Sequence, residues 1–388
     1  MTSAPHETDA AAAALHDSAA AAPALGFPVQ DTELANRLAD RLTEVDRALD
    51  AAVSQADALA DDVSRHLVDA GGKRFRPLLT LLCGELGDGT RSELIDAAIV
   101  VELTQVASLY HDDVMDSAPV RRGAPSVHSV WGNSVAILVG DMLFARASQL
   151  VAELGPEAVL IQSRTFERMC LGQLHETTGP DKGEDAVSHY LKVLSDKTAS
   201  LLATSARLGA MFGGAPTEQV EAVAAYGEKV GVAFQLADDV LDIASDGSVS
   251  GKTPGTDLRE HVPTMPALLL RKRVADAQGL ADGDGRTPGP GDPAVGGRED
   301  DAPAVPAAPG PGTTADAALL ADLEGDLSSD RALADVVRRL REHEVLAETR
   351  ELARTWAQEA ADELAPLPEG PVKDALTEFA AAVANRTV

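Results

Sequence analysis

The sequence predicts an all-α protein on three observations. Helix formers dominate, and aromatic residues make up only 3% of the chain. Val/Ile-rich alternating runs bounded by turns, the raw material of strands, are missing. Long segments carry wide apolar stripes and are separated by Gly and Pro, which suits a helical bundle around a central cavity.

Taken in order, residues 1 to about 31 are rich in Ala, Ser, Asp and Pro without a usable amphipathic period, and are expected to form a disordered tail. A single domain over 32–388 is expected to follow. Helical pattern begins near Thr32 and runs to Gly71-Gly72, where two glycines permit left-handed backbone. Pro77 suits the first turn of the next helix. Further helices fit about 92–116, 133–153, 156–178, 184–212 and 217–245, with breaks at Gly132-Asn133, Gly155-Pro156, Gly179-Pro180 and Gly213-Gly214. The pattern then fails between about Asp276 and Thr313. Residues 281–312 hold seven Pro and eight Gly and no aromatic, a composition that buries too little surface to offset ordering entropy. A disordered insertion at about 276–313 is expected, because helical pattern resumes at Leu323–Arg341, Glu344–Leu364 and Pro371–Ala384.

Charge and cysteine content exclude several classes. With 33 Lys+Arg against 62 Asp+Glu, the net charge is −29, and such a surface does not suit general nucleic-acid binding. Cys83 and Cys170 are too few for a disulfide framework or a zinc site and read as small buried hydrophobes. No signal peptide opens the chain, and no run of about 18 uncharged apolar residues suggests a transmembrane segment. A cytoplasmic protein is the expectation.

The informative motif is a duplicated acidic pentad, Asp112-Asp113-Val114-Met115-Asp116 and Asp238-Asp239-Val240-Leu241-Asp242. On a helix, positions i and i+4 share a face, so Asp112 lies above Asp116 and Asp238 above Asp242. If the two helices face each other their carboxylates converge, and like charges so placed repel unless hard divalent cations lie between them. Oxygen-only ligands point to Mg²⁺, which takes phosphate oxygens as its remaining ligands; a diphosphate substrate is implied. One pentad alone reads equally well as a solvated helix face. Against that stand the apolar neighbours Val100, Val101, Leu103, Val106 and Ala107 of the first, and Val232, Ala233, Leu236 and Ala237 of the second, among which unpaired carboxylates are costly.

Cations are placed to match. Gly71-Gly72-Lys73-Arg74-Phe75-Arg76-Pro77 sets three cations beside backbone amides at a helix start, an arrangement suited to an anion, although a basic surface loop would look the same. Arg121-Arg122-Gly123 follows the first pentad, and guanidinium forks grip phosphate oxygens bidentately. Lys197-Thr198, Phe234-Gln235 and Gly251-Lys252-Thr253 are ordinary taken singly.

Together these residues resemble the trans-isoprenyl diphosphate synthases, the polyprenyl synthetase family. The resemblance runs from about Gly71 to Pro266 and takes in GGKRxRP, DDxxD with RRG, Gly140-Asp141 of GDxLxxxA, Gly172-Gln173, KT, FQxxDD and GK-TPGTDLRE. It implies an isoprenoid-synthase-type helical fold whose cavity holds an allylic prenyl diphosphate, isopentenyl diphosphate and three Mg²⁺. It also implies a homodimer, with helices 133–153 and 156–178 as candidate interface. Carried over position by position, Asp112, Asp116 and Asp238 become direct metal ligands, with Asp113, Asp239 and Asp242 supporting. Arg121 and Lys197 bind the allylic diphosphate and Lys252 closes over it. Gly72, Lys73, Arg76, Arg122 and Gln105 form the isopentenyl diphosphate site. Thr198 and Gln235 polarise the reacting centre; Gln173 and Glu176 support. The implied reaction is ionisation, condensation and elimination, yielding an all-trans polyprenyl diphosphate. His111 is a poor Mg²⁺ partner and is expected to make a structural hydrogen bond.

One departure from the family pattern is Val262, where many relatives carry a lysine after the DLxEG-like stretch, so one phosphate contact is missing. Product length is read from the positions four and five before Asp112, Ser108 and Ala107, where a bulky residue stops growth in this family. Thr104, Val101, Val100 and Ala97 continue the same side without an aromatic, so at about 1.5 Å per residue an open groove favours a long chain, as for a quinone side chain. A plug by Tyr110, Phe166, Met169 or a partner subunit would instead give a short-chain geranylgeranyl or farnesyl product. Other readings are a terpene cyclase, which would lack GGKRxRP and the second pentad; a non-catalytic regulatory subunit of a heteromeric synthase, which would have eroded motifs; and a metal-storing acidic scaffold, which leaves Lys73, Arg76, Arg121 and Arg122 unexplained.

Overall fold

The computed structural model describes residue 25 and residues 29–245, 254–260, 262–279 and 314–385. Most of the expected tail and of the expected insertion lies outside them. Among the described residues the chain is helical apart from one two-stranded ladder, Val120–Arg121 (β1) with Ala124–Pro125 (β2), so the all-α expectation holds. The chain forms two compact units, the first Met1–Leu171, Ser195–Gly231 and Glu359–Ala382, the second Gly172–Leu194, Val232–Gln358 and Val383–Val388.

The first unit opens with α1 (Thr32–Val53) and α2 (Ala58–Asp69), where the sequence suggests one continuous helix. No Gly or Pro marks the break. Asp57 makes it: its carboxylate accepts from the Ala60 N–H at 3.0 Å, starting a new helix as Asp31 does for α1 through the Leu34 N–H at 2.7 Å. Gly71, at φ 82, then ends the helical run before α3 (Phe75–Gly84).

The central helix is α4 (Glu93–Met115), apolar on nearly every face. Its Ala97, Val100 and Val101 pack with Val151, Ala158, Met169, Leu201 and Leu208 into the apolar core of this unit. Tyr110 is fully buried and donates its hydroxyl to the Val63 carbonyl of α2 at 2.5 Å. After α5 (Val127–Trp131) come α6 (Asn133–Glu153) and α7 (Pro156–Thr178), at the expected bounds. Both α4 and α6 are long and apolar enough to cross a membrane by length and composition. Neither is an uncharged run, since the pentad closes α4 and Asp141 and Arg146 interrupt α6. The α4 window is 67% buried, which makes it a core helix; that of α6 is 33% buried, leaving Ile137, Leu138 and Met142 exposed.

The expected helix over 184–212 is three pieces: α8 (Ala186–Leu194), a π-helical turn Ser195–Ala199, and α9 (Ser200–Gly213). It is followed by α10 (Thr217–Ala244). In the second unit Arg341 donates to the Ile243 and Ser245 carbonyls, both at 2.6 Å, satisfying the last carbonyls of α10 with a cation. Beyond α11 (Thr256–Arg259) and α12 (Met265–Ala277), helix resumes at Thr314 rather than Leu323. That first piece, α13 (Thr314–Leu323), ends where helix 323–341 is expected to begin, and the expected helix starts only at Asp330 as α14 (Asp330–Arg341), because Ser329 caps it by accepting from the Ala332 N–H at 3.2 Å. Helices α15 (Glu344–Glu363) and α16 (Pro371–Asn385) complete the chain close to expectation.

Candidate active site

In the first unit, the last turn of α4 carries Asp112 and Asp113 and is capped by Asp116, whose N–H bonds the Asp112 carbonyl at 2.8 Å. Helical periodicity separates the three acids. Asp113 is buried and its Oδ1 accepts from Arg121 Nε at 2.6 Å, whereas Asp112 is half-buried and Asp116 exposed. Burial pushes the Asp113 carboxyl above the usual carboxylate range, and the Arg121 guanidinium opposes that rise. No basic residue lies in this last turn. Carboxylates at the negative end of a helix dipole are disfavoured, so Asp112 and Asp116 make an acidic face suited to a cation.

Arg121 and Arg122 sit on a minimal hairpin, turned by Arg122 at φ 54 and Gly123 at φ 78. The strand residue Arg121 reaches Asp113, while Arg122, in the left-handed backbone of the turn, donates to the Leu67 carbonyl at 2.8 Å and to Glu102 Oε1 at 3.3 Å. A Cβ on Gly72 would lie 3.1 Å from the Arg122 guanidinium carbon, so glycine leaves room for that planar group. Arg74 adds a bond to Glu102 at 3.0 Å, another to the Val68 carbonyl at 3.1 Å and a third to Asp46 at 2.9 Å. Arg76 is pushed down to about 10 by burial, opposed by Glu102 and reinforced by Arg122. Its buried Nε has no hydrogen-bond partner among the described residues. Gly72, Arg76 and Arg122 are thus brought together, with Lys73 exposed beside them and Gln105 half-buried one helical turn beyond Glu102. Sequence reasoning counted Arg74 among the cations of the basic turn but missed Glu102. A lone acid inside the apolar run of α4 was the available signal, since a buried carboxylate needs cationic partners.

Lys197 and Thr198 are half-buried in the π-helical turn. His111 makes the expected structural bond, to the Ile137 carbonyl at 3.1 Å, and lies 3.4 Å from Asp141. A Cβ on Gly140 would stand 2.4 Å from His111 Nε2; the Gly-Asp pair therefore seats this ring.

In the second unit the acids of the second pentad are sorted the same way. Asp239 is buried and accepts from the Tyr190 hydroxyl at 2.9 Å and the Met265 N–H at 2.9 Å. Burial pushes its carboxyl up to about 8 against those two donors. Asp238 and Asp242 are half-buried, as is Gln235 one turn earlier. Asp242 takes the Gly255 N–H on its carbonyl at 2.8 Å and the Thr256 N–H on its carboxylate at 3.2 Å, tying the TPGTD segment to the helix end. Gln173 and Glu176 are half-buried on the last turns of α7. Val262 donates its N–H to the Asp257 carbonyl at 2.9 Å and offers no charged group. Lys252 lies outside the described residues.

Among the described residues no three His, Cys, Asp or Glu side chains group closely enough to enclose a metal ion. The donors fit Mg²⁺ nonetheless, because that ion is held through one or two carboxylates and completes its shell with water and substrate phosphate. In each pentad the buried acid is engaged by protein donors, and the i, i+4 pair around it offers oxygen ligands alone.

The polyprenyl synthetase family model matches residues 57–282, extending beyond the motifs at both ends. The chain is 40% identical over 353 residues to the nonaprenyl diphosphate synthase of Mycobacterium tuberculosis, covering 90% of this chain and 94% of that protein. Among solved structures it resembles geranylgeranyl pyrophosphate synthase from Corynebacterium glutamicum, complexed with calcium and isoprenyl diphosphate, at TM-score 0.74 and 35% identity, covering 93% and 99% of the two chains. It also resembles a decaprenyl diphosphate synthase from Rhodobacter capsulatus at TM-score 0.73 and 31% identity, covering 92% and 99%.

Proposed function

Because this chain belongs to the polyprenyl synthetase family, we propose that it is a prenyltransferase which condenses isopentenyl diphosphate with an allylic prenyl diphosphate to make a long all-trans polyprenyl diphosphate. The observation that carries the residue assignment is the same sorting by burial in both pentads, the second acid buried on protein donors and the i, i+4 acids on either side of it more exposed.

Asp112, Asp116 and Asp238 are assigned to Mg²⁺, three ions per site, with Asp113, Asp239 and Asp242 fixing the helix ends that present them. Magnesium supplies Lewis-acid neutralisation of the departing diphosphate when bound. Arg121, held by Asp113, and Lys197 bind the allylic diphosphate and take up charge as its C–O bond ionises, with Lys252 assigned to cover it. Gly72, Lys73, Arg76, Arg122 and Gln105 hold the diphosphate of isopentenyl diphosphate, orienting its double bond toward the allylic cation. Buried and imperfectly partnered, Arg76 gains on receiving an anion what it lacks without one. Thr198 and Gln235 polarise the reacting carbons, and Gln173 and Glu176 support them. Elimination of a proton to the released diphosphate restores the alkene.

Long product is favoured by the side of α4 that runs back from the first pentad. Ala107, Thr104, Val101, Val100 and Ala97 are all buried and none is aromatic. Of the residues that would plug such a path, Tyr110 is engaged with α2, and Phe166 stacks on Phe144 at 4.1 Å. Met169 packs with Ala97, Val100 and Val101 and so lies along this path, where an unbranched, rotatable side chain can yield to a growing tail. A homodimer is assigned to the exposed apolar residues Ile137, Leu138 and Met142 of α6 with Val159, Leu160 and Leu171 of α7, in a cytoplasmic enzyme. Incubating purified protein with Mg²⁺, isopentenyl diphosphate and farnesyl or geranylgeranyl diphosphate tests the reading. Chain extension with release of diphosphate is expected, with product mass fixing the length; no extension from either primer would overturn it.

A further inference from the structure

The π-helical turn Ser195–Ala199 is short, and turns of this kind cost stability unless their surroundings hold them. Here three independent features do so. Arg168, on α7, donates from Nε to Asp196 at 2.8 Å and from Nη2 to the Ser195 hydroxyl at 3.0 Å, gripping the first two residues of the turn. The same guanidinium forms a two-pronged pair with Glu228 of α10, at 2.6 and 3.0 Å, and Ser195 also donates to Glu228 at 2.5 Å. Either side of Glu228, Gly227 and Gly231 bring the α10 backbone against the end of the turn: a Cβ on Gly231 would stand 2.6 Å from Ala199 Cα, and one on Gly227 2.6 Å from Ala203 Cα. Finally, the Ser200 hydroxyl donates to the Asp196 carbonyl at 2.7 Å.

We propose that Arg168 is a positioning residue for prenyl transfer: by clamping Ser195, Asp196 and Glu228 it holds the π turn in the register that aims Lys197 and Thr198 at the substrate. The inference rests on the assignment of Lys197 to the allylic diphosphate. A π turn carries one residue more than the α turn it replaces, so relaxing it rotates the following side chains by about 100°. Lys197 and Thr198 are the residues such a rotation would carry away. Three acceptors on two other segments meet in one planar fork, a geometry that lysine, with a single nitrogen, cannot reproduce.

The test compares steady-state kinetics of Arg168→Gln, Arg168→Lys, Lys197→Ala and Arg207→Gln in the full chain, with active-site concentration measured by single-turnover burst and folding by thermal melt. Arg207 of α9 makes a two-pronged exposed pair with Glu221 of α10 and controls for loss of an ion pair to that helix. Expected results are a fall in kcat per active site of about tenfold to a hundredfold for Arg168→Gln, a smaller fall for Arg168→Lys, and no change for Arg207→Gln. The KM for isopentenyl diphosphate should stay within about twofold, since its assigned ligands Lys73, Arg76 and Arg122 lie on other elements. If Lys197→Ala impairs turnover while Arg168→Gln leaves kcat per active site intact, or lowers only the active fraction together with melting temperature, the clamp has no positioning role. If Lys197→Ala leaves the allylic KM and kcat intact, the assignment of Lys197 itself fails and takes the inference with it.

Discussion

Replacing Glu102 with Gln removes one negative charge from beneath the basic turn while preserving shape. Glu102 is 3% exposed, and its Oε1 accepts from Arg74 at 3.0 Å and from Arg122 at 3.3 Å. At an effective dielectric of about 20, each contact represents roughly 5 kcal/mol of gross attraction. The net loss is smaller. Arg74 keeps the Val68 carbonyl and exposed Asp46, Arg122 keeps the Leu67 carbonyl, and the amide oxygen still accepts one hydrogen bond. Breaking a buried pair costs about 3–5 kcal/mol, and the retained bonds bring the expected value to about 2–3 kcal/mol. For a unit of this size that lowers the melting temperature by about 5–10 °C. Scanning calorimetry of Glu102→Gln beside the parent reads the shift directly, and Glu102→Asp, which keeps the charge on a shorter arm, should fall between them. Kinetics should show a raised KM for isopentenyl diphosphate, because Arg122, proposed to hold its diphosphate, loses the charged anchor that it shares with Arg74. A shift below about 1 °C with unchanged KM would refute the view that this carboxylate organises the turn.

Four further outcomes are expected. Ala107→Phe should shorten the product, read by mass spectrometry of extracted polyprenols; an unchanged length distribution would remove the groove along α4. Asp112→Ala and Asp238→Ala should each lower kcat by about 10²–10³-fold, with EDTA abolishing turnover of the parent and added Mg²⁺ restoring it, so full activity in EDTA would eliminate the metal assignment. Tyr190→Phe leaves buried Asp239 with the Met265 N–H as its donor and should destabilise by about 1–3 kcal/mol in urea unfolding; an unaltered midpoint would count against that bond. Gly140→Ala sets a methyl 2.4 Å from His111 Nε2 and should cost about 1–3 kcal/mol despite alanine's higher helix propensity, whereas an unchanged melting temperature would show that the ring moves aside freely.

What could be read in advance was whatever repeats along the chain. The long helices α4, α6, α7 and α10 carry an apolar stripe from one glycine-marked break to the next, and their bounds fall within a few residues of expectation. The same periodicity foretold that Asp112 and Asp116 would share a face. Breaks made by single side-chain caps, at Asp57 and Ser329, interrupt no apolar pattern and were not legible. Nor was the π turn, because its residues Ser195–Ala199 read as an ordinary polar turn of a continuous helix. Residues that act by holding others, Glu102, Arg168 and Tyr190, were missed because their partners lie 20 to 60 positions away. Only Glu102 carried a clue, its charge being out of place among buried neighbours.

The two-residue strand Val120–Arg121 and its turn give a final consequence. One guanidinium of the hairpin is anchored to Asp113 of the pentad and the next to Glu102 of α4 and the Leu67 carbonyl of α2, so a shift of this small lever moves both at once. If these guanidiniums hold the two diphosphates proposed for them, filling one site presets the other, and thermodynamic reciprocity makes the influence equal in both directions. The enzyme should show heterotropic cooperativity between its two reactants, each tightening when the other is already aboard.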